Sequence, residues 1–264
     1  MWKLSRLREI SRSLGILNYK GGTGKTTTAV NLSAGLALRG NRVLCIDLDP
    51  QGSLASQFGI KPHNTLAELF QDEAAVKDCI YTARDHLDII PGSRKLLTVD
   101  GALWNLDSAK DARQILSDKL AKFRKKYDFI ILDFPPSANK VSENGLMLVN
   151  ELIIPMPMSH LALVGAYQVV GTLKAVSKIP NHEIRLTWIV PTMYDERLRK
   201  DRAILASLER QFPGQVANPI RSNVRLAEAP AQQKTIFEYA PDSHGAQDYT
   251  ELIERILDQT PKEN

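Results

Sequence analysis

The chain has 264 residues, of which 43% are hydrophobic and 24% charged, and its formal net charge is +4. This composition is ordinary for a soluble globular protein with one sizeable core, and only two cysteines argue against a disulfide framework or a paired-cysteine metal site. No stretch approaches the roughly 18 apolar residues that span a bilayer, and residues 1–13 lack the apolar core of a secretory signal. We therefore expect a protein of the reducing cytoplasm, whose basic balance weakly favours a polyanionic partner.

Short apolar runs alternate with helix-length segments along almost the whole chain. The predicted strands are 14–18, 42–48, 87–91, 127–134, 151–156 and 185–190, and several are apolar on consecutive residues, as in strands covered on both faces. The predicted helices include 26–40, 111–126, 202–212 and 245–259. This alternation predicts an α/β fold with a mostly parallel twisted sheet and helices on both faces. We expect a short basic arm over 1–13 and a single domain over 14–264.

A glycine-rich loop follows the first predicted strand and opens the first long helix, the context in which a phosphate-binding loop is meaningful. Glycines let the backbone wrap a phosphate closely, and backbone N–H groups at the helix start then face the anion. We expect Lys25 to reach the β- and γ-phosphates and the Thr26 hydroxyl to complete a Mg²⁺ shell. The strict phosphate-loop pattern fails at its first glycine, where this chain has Tyr19, and Lys20 is an additional lysine.

Three aspartates lie at the ends of predicted strands. Asp47 and Asp49 flank Leu48, so they share one strand face and point toward the crevice beyond the strand's carboxyl end. Asp133 ends the apolar run 127–134, where a carboxylate can hold Mg²⁺ through a water molecule. Capping of the strand end is the alternative role for Asp47 and Asp49.

Three segments carry a resemblance to a known family. The sequence KGGTGKT (20–26) resembles the deviant Walker A loop KGGxGK[ST] that identifies the ParA/MinD superfamily of ATPases, and DLDPQG (47–52) resembles the ParA switch I segment. Residues 220–252 resemble the ParA/Soj-type stretch IPRNVRLSEAPSxGKPIxxYDPxSxGAxxYxEL. The resemblance extends over roughly residues 14–258 and implies a phosphate-loop NTPase fold.

The resemblance also implies roles for individual residues. Lys20 would project across a nucleotide-sandwich dimer onto the partner's bound phosphates, Asp49 would orient the attacking water, and Asp47 would lie near the Mg²⁺ shell. The expected catalytic residues are Lys20, Lys25 and Asp49, and the expected metal residues are Thr26, Asp47 and Asp133. The expected nucleotide-binding residues are Lys20, Gly21, Gly22, Thr23, Gly24, Lys25, Thr26, Thr27 and, near the adenine, Ser222 and Asn223.

Basic residues in the last third of the chain are candidates for DNA binding. The resemblance places DNA-binding arginines at Arg197 and Arg225, and Lys200 and Arg202 add charge beside the first. Such side chains neutralise phosphates and give a salt-dependent affinity that does not depend on base sequence. An ordinary solvated charge is the alternative for each of them.

The implied function is that of an ATP hydrolase that uses ATP and Mg²⁺, forms a homodimer with ATP and binds DNA non-specifically. It would position or segregate a cargo such as a plasmid, a chromosome or a carboxysome-like assembly, in the cytoplasm on the nucleoid and without a membrane. A ParB-like or cargo-adaptor protein would stimulate hydrolysis, although residues 158–167 depart from the family pattern and leave that partner open.

Three other functions are alternatives. A MinD-like membrane-cycling ATPase that regulates division would need an amphipathic C-terminal anchor, which residues 251–264 provide poorly. A metal-cluster protein would need cysteines at a dimer interface, which Cys45 and Cys79 do not supply. A small-molecule ligase or kinase with a phosphate loop is the remaining alternative.

Overall fold

The computed structural model describes residues 11–106, 111–159, 162–180 and 182–259. Within them, seven strands form one sheet with the order β3-β4-β2-β5-β1-β6-β7. The strands are β1 Arg12–Ile16, β2 Val43–Asp47, β3 Tyr81–Arg84, β4 Leu87–Ile90, β5 Phe129–Asp133, β6 Glu151–Pro157 and β7 Arg185–Thr192. All neighbours pair in parallel except the edge strand β3, which runs antiparallel to β4. The predicted α/β fold with a mostly parallel sheet is therefore confirmed.

Helices cover both faces of this sheet. They are α1 Lys25–Leu38, α2 Ser53–Gln57, α3 Leu66–Phe70, α4 Leu96–Trp104, α5 Ile115–Arg124, α6 Lys140–Leu148, α7 Ala162–Val176, α8 Arg199–Gln211, α9 Val224–Glu228, α10 Ile236–Tyr239 and α11 His244–Asp258. Successive residues of β5 enter different cores: Phe129 and Ile131 pack with α1 and α11, whereas Ile130 and Leu132 pack with helices of the opposite layer. This burial on both faces explains why the central strands are apolar at consecutive positions.

The last helix, α11, packs against α1. Tyr249, Leu252 and Ile253 are buried, and the Tyr249 hydroxyl lies 3.1 Å from Thr28 Oγ1 on α1. The approach is close at Gly35, where a Cβ would lie 2.0 Å from Ile253 Cδ1. No helix in the described parts of the chain is both long and apolar enough to cross a membrane.

The first strand begins two residues earlier than predicted, at Arg12 instead of residue 14. The guanidinium of Arg12 is buried and donates 2.8 Å hydrogen bonds to both carboxylate oxygens of Glu151 on β6, and it also donates to the Ile256 carbonyl. Arg12 and Ser13 therefore belong to the sheet and not to the arm predicted over 1–13. Residues 1–10 of that arm lie outside the described residues.

Candidate functional site

The loop between β1 and α1 has the backbone geometry of an anion cradle. Gly22 and Gly24 have φ angles of +69° and +89°, a conformation that residues with a Cβ adopt rarely. Gly24 is the N-cap of α1 and offers no side chain to the first N–H groups of this 14-residue helix. Those N–H groups, together with the positive end of the helix dipole, are thus available to an anion in the loop.

Lys25 carries its charge inside this loop. Its side chain is largely buried, and Nζ donates a 3.0 Å hydrogen bond to the Lys20 carbonyl. Burial lowers the pKa of Lys25, and the carboxylates of Asp133 and Asp49 partly offset that effect. The Lys25 ammonium group therefore lies inside the loop, where the carboxylates of Asp133 and Asp49 favour its charged form.

Lys20 differs from Lys25 in that its side chain points outward. The residue is exposed, and its ammonium group forms no ion pair with any residue that the structure describes. Its backbone, in contrast, is fixed, because its N–H donates to Asn18 Oδ1 at 3.0 Å and its carbonyl accepts from Lys25. The arrangement leaves the Lys20 charge available to a group outside its own chain.

Asp47 and Asp133 end the adjacent strands β2 and β5 and are opposite each other in the register. Both are buried, and burial raises the pKa of each carboxyl; the charge of Asp47 raises that of Asp133 further. Asp47 Oδ1 accepts from the Asp49 N–H at 2.9 Å, and its Oδ2 accepts from the Leu54 N–H at 3.1 Å. Asp47 therefore organises the loop after β2, a contribution that the sequence did not reveal.

Asp133 lacks comparable partners. Neither carboxylate oxygen has a hydrogen-bonding partner of acceptable geometry among the described residues, and the Thr26 hydroxyl and the Lys25 charge only lessen the effect of burial on its pKa. A buried carboxylate in this situation is costly unless a cation or a polar ligand accompanies it. Asp133 and Thr26 are thus a donor set that fits Mg²⁺.

A Mg²⁺ ion here would take most of its ligands from water and phosphate. The described residues contain no group of three or more His, Cys, Asp and Glu side chains that could hold a metal ion by themselves. This fits Mg²⁺, which keeps several waters and is commonly bound by one or two protein groups plus substrate phosphates.

Asp49 lies at the edge of the site, half-buried, with Oδ1 accepting from the Gln51 N–H at 2.9 Å. Its loop packs backbone to backbone against Gly92, which follows β4. A Cβ on Gly92 would lie 2.6 Å from the Asp49 carbonyl oxygen and 2.9 Å from that of Asp47. Gly92 was not predicted to belong to the site; the Pro-Gly pair at the end of the strand run 87–91 was the available signal.

A cavity of about 350 Å³ adjoins the start of α1. Its lining brings Ser222 and Asn223 together with Gly24 and Thr27, although roughly 200 residues separate the two segments. The Thr192 hydroxyl, also in the lining, donates to the Thr23 carbonyl at 3.0 Å and ties the end of β7 to the loop. The predicted phosphate-binding and base-binding residues therefore lie in one continuous region.

The two predicted DNA-binding arginines are exposed and paired with nearby carboxylates. The Arg197 side chain is 85% exposed and lies 2.7 Å from Asp195. The Arg225 side chain is 57% exposed and lies 2.9 Å from Glu228. Exposed pairs of this kind are weak, so a DNA phosphate can compete for either guanidinium.

Lys200 and Arg202, the basic residues predicted to add charge beside Arg197, hydrogen-bond to backbone carbonyls of the chain. Lys200 Nζ donates to the Met158 carbonyl at 3.1 Å and to the buried Asp201 carboxylate at 2.5 Å. Arg202 donates to the Glu196 carbonyl. Lys200 is thus bound to its own domain, which makes it a weaker candidate for DNA contact than the sequence indicated.

Comparison with known proteins identifies similar chains. The AAA domain family matches residues 11–186. The chromosome-partitioning ATPase Soj of Thermus thermophilus is 37% identical over 253 residues, which cover 95% of this chain and 97% of that protein. The structure of cobyrinic acid a,c-diamide synthase from Mycobacterium smegmatis, with bound ATP analogue and magnesium, superposes with a TM-score of 0.80 at 27% identity, covering 94% of this chain and 95% of that one. Apo McdA from Cyanothece has the same fold, with a TM-score of 0.83 at 22% identity over 93% of this chain and 99% of that one.

Proposed function

The chain belongs to the AAA-domain family of ParA/Soj-type ATPases, and on this premise we propose that it is a Mg²⁺-dependent ATP hydrolase whose ATP-bound form is a DNA-binding homodimer. The observation that carries the proposal is the buried Asp133 carboxylate, whose oxygens have no hydrogen bond of acceptable geometry among the described residues and which lies beside Thr26 and Lys25. A carboxylate so placed fits the Mg²⁺ of a nucleotide held in the adjoining loop.

The residues of the loop have separate tasks in this proposal. The N–H groups from Gly21 to Thr27 would bind the phosphates, and Lys25 would contribute the nearest positive charge. Bound Mg²⁺ would neutralise charge on the phosphate oxygens, held by Thr26 and, through water, by Asp133. Asp47 would keep the following loop in place so that Asp49 can orient a water molecule.

Lys20 would act on the nucleotide of the partner subunit. Its exposure and its lack of an ion pair among the described residues support this role, because its own backbone is already fixed within the loop. A cation supplied across an interface neutralises charge that develops on the γ-phosphoryl group, and burial in the interface strengthens the interaction. Hydrolysis would then depend on dimerisation.

The dimer would hold DNA through Arg197 and Arg225 and would thereby associate with the nucleoid in the cytoplasm. Soj of Thermus thermophilus is named a chromosome-partitioning ATPase, which supports a role in positioning or segregating a cargo. A ParB-like or cargo-adaptor protein would stimulate hydrolysis and release. The membrane-cycling alternative is not favoured, because the apolar face of α11 is buried against α1 and is not available to a lipid surface.

The decisive experiment measures dimer mass and DNA retention with ATP, with ADP and without nucleotide, each at two salt concentrations. We expect a dimer and DNA retention only with ATP, and a smaller salt dependence of retention in the Arg197→Glu variant, since each lost phosphate contact lowers the slope of log K against log salt by about 0.9. Lys20→Ala should abolish dimerisation while the protein still binds ATP. Arg210→Glu and Lys174→Ala, which alter exposed residues of α8 and α7, serve as matched controls.

Two results would contradict the proposal. The first is a protein that stays monomeric with saturating ATP and Mg²⁺ when hydrolysis is blocked. The second is a Lys20→Ala variant with undiminished hydrolysis and dimerisation, which would remove the role assigned to Lys20 in the partner's site.

A further inference from the structure

Tyr19 occupies the position at which a strict phosphate loop has its first glycine, and its side chain connects the loop to α7. The Tyr19 hydroxyl lies 2.8 Å from Thr172 Oγ1. Thr172 itself donates to the Gln168 carbonyl at 3.3 Å. Either hydroxyl can donate in the contact between the two side chains, and removal of either one abolishes it.

Asn18 fixes the same part of the loop from the other side. It is buried, its Nδ2 donates to the Pro155 carbonyl on β6 at 2.9 Å, and its Oδ1 accepts from the Lys20 N–H at 3.0 Å. Helix α7 also reaches this amide, since a Cβ on Gly165 would lie 3.5 Å from Asn18 Oδ1. Both residues that precede Lys20 are therefore fastened to β6 or α7.

The two residues that follow Lys20 are glycines with free space around them, since a Cβ on Gly21 or Gly22 would meet nothing within 4 Å. The Lys20 carbonyl is held by Lys25 Nζ at 3.0 Å, so β6 and α7 act on Lys20 through its upstream neighbours. Of these neighbours, Tyr19 is the one whose side chain hydrogen-bonds to α7.

We propose that Tyr19 is a positioning residue through which α7 sets the place of Lys20, so that hydrolysis responds to the position of α7. This inference rests on the proposed function, because it concerns how effectively Lys20 serves the partner's nucleotide. It predicts that the Tyr19–Thr172 contact affects the hydrolytic step and leaves ATP binding nearly unchanged.

The test compares ATP hydrolysis in Tyr19→Phe, Thr172→Val and the double variant, each also combined with Lys20→Ala. We expect each single variant to lower kcat about 3–10-fold with KM within twofold, as the loss of one hydrogen bond allows. The double variant should be no slower than the slower single variant. In the Lys20→Ala background neither change should lower the residual rate further. Tyr127→Phe, which removes a 2.9 Å hydrogen bond to Asp88 far from the loop, is the matched control and should leave kcat within twofold.

Three outcomes would overturn the inference. They are an unchanged kcat in Tyr19→Phe, a loss of equal factor with and without Lys20, and a rise in KM that accounts for the whole loss. In each of these the wild type still hydrolyses ATP in a Lys20-dependent manner, so the proposed function stands. A wild type without ATP hydrolysis overturns the proposed function and this inference together.

Discussion

The replacement of Asp133 by asparagine should change stability and ligand binding in opposite directions. Asp133 is buried next to the acidic Asp47, and its oxygens have no hydrogen bond of acceptable geometry among the described residues. Asparagine has the same shape but no charge, so the substitution removes the buried charge and its repulsion by Asp47. The variant should therefore unfold at a higher temperature than the wild type when nucleotide and Mg²⁺ are absent.

The expected gain is limited by the chemistry of the carboxyl group. Burial raises the pKa of Asp133 in the folded state above its ordinary value of 3.8, so folding loses free energy at every pH above the ordinary value. From that value to pH 7 is about three pKa units, each worth about 1.4 kcal/mol, which sets an upper limit of about 4 kcal/mol at pH 7. Asparagine still buries a polar amide, so we expect a net gain of about 1–3 kcal/mol. For a chain of this size this corresponds to about 2–10 °C in Tm.

The assay is thermal unfolding in EDTA, followed by the same measurement with Mg²⁺ and a non-hydrolysable ATP analogue. The analogue with Mg²⁺ should stabilise the wild type strongly and Asp133→Asn much less. Asp47→Asn supplies the contrast, because the Asp47 oxygens accept from two backbone N–H groups and an asparagine side chain can accept from only one of them. The lost hydrogen bond offsets the gain from removing the buried charge, so this variant should gain less stability without nucleotide than Asp133→Asn does. Asp258→Asn, an exposed position at the end of α11, is the matched control and should change both readings little.

An Asp133→Asn variant that unfolds at a lower temperature than the wild type in EDTA would contradict this prediction, since Asp133 would then have partners that compensate its burial. Equal stabilisation of variant and wild type by the analogue with Mg²⁺ would contradict the second part. In that case the carboxylate does not serve the metal.

Two further predictions concern the support of the site. Glu151→Gln should lower the free energy of unfolding in urea by about 3–5 kcal/mol, because it leaves the buried Arg12 guanidinium without its counter-charge. Burial alone would raise the pKa of Glu151, but the hydrogen bonds and charge of Arg12 hold this pKa below its ordinary value of 4.5. The stability advantage of the wild type over Glu151→Gln should therefore shrink as the pH falls below about 4.5. A stability difference that stays constant at acidic pH would contradict this role of Arg12. Gly92→Ala should reduce kcat for ATP hydrolysis at least about tenfold, because its Cβ would collide with the carbonyl oxygens of Asp47 and Asp49 and displace the loop. An unaltered rate in a coupled phosphate assay would show that the loop carrying Asp49 can shift without loss of activity.

The fold was largely predictable because the central strands have a clear pattern in the sequence. The run 127–134 is apolar at consecutive positions, and β5 is indeed buried on both faces. The edge strand Tyr81–Arg84 escaped prediction because it is short, only partly buried and irregularly paired with β4. Arg12 was wrongly assigned to the N-terminal arm, because a charged residue before an apolar run usually indicates a solvent-exposed position. Its burial is stabilised by the ion pair with Glu151, which lies far away in the sequence.

The candidate site was predictable where it consists of one local motif and not where distant segments complete it. The loop around Lys25 follows a strand and begins a helix, as its sequence predicts, and Asp47 and Asp133 lie at strand ends as expected. That these two strands are neighbours, with the two aspartates opposite each other, was not predicted. The different hydrogen bonding of Asp47 and Asp133 could not be predicted from the sequence. It depends on the path of the backbone from Asp49 to Leu54 and on the close approach of Gly92, both of which are determined by tertiary packing.

The cavity beside the loop is also joined to the segments that carry the predicted DNA-binding arginines. The Asn223 side chain caps α9 by accepting from the Arg225 N–H at 2.8 Å. The Ser222 N–H donates to the Tyr194 carbonyl at 2.9 Å, and the chain from Tyr194 leads within three residues to Arg197. A base that fills this cavity would contact Ser222 and Asn223 and so restrain both arginine-bearing segments at once. Under the proposed function, nucleotide would therefore also order the predicted DNA-binding surface within each subunit, since residues 222–225 contain both Asn223, which lines the cavity, and Arg225.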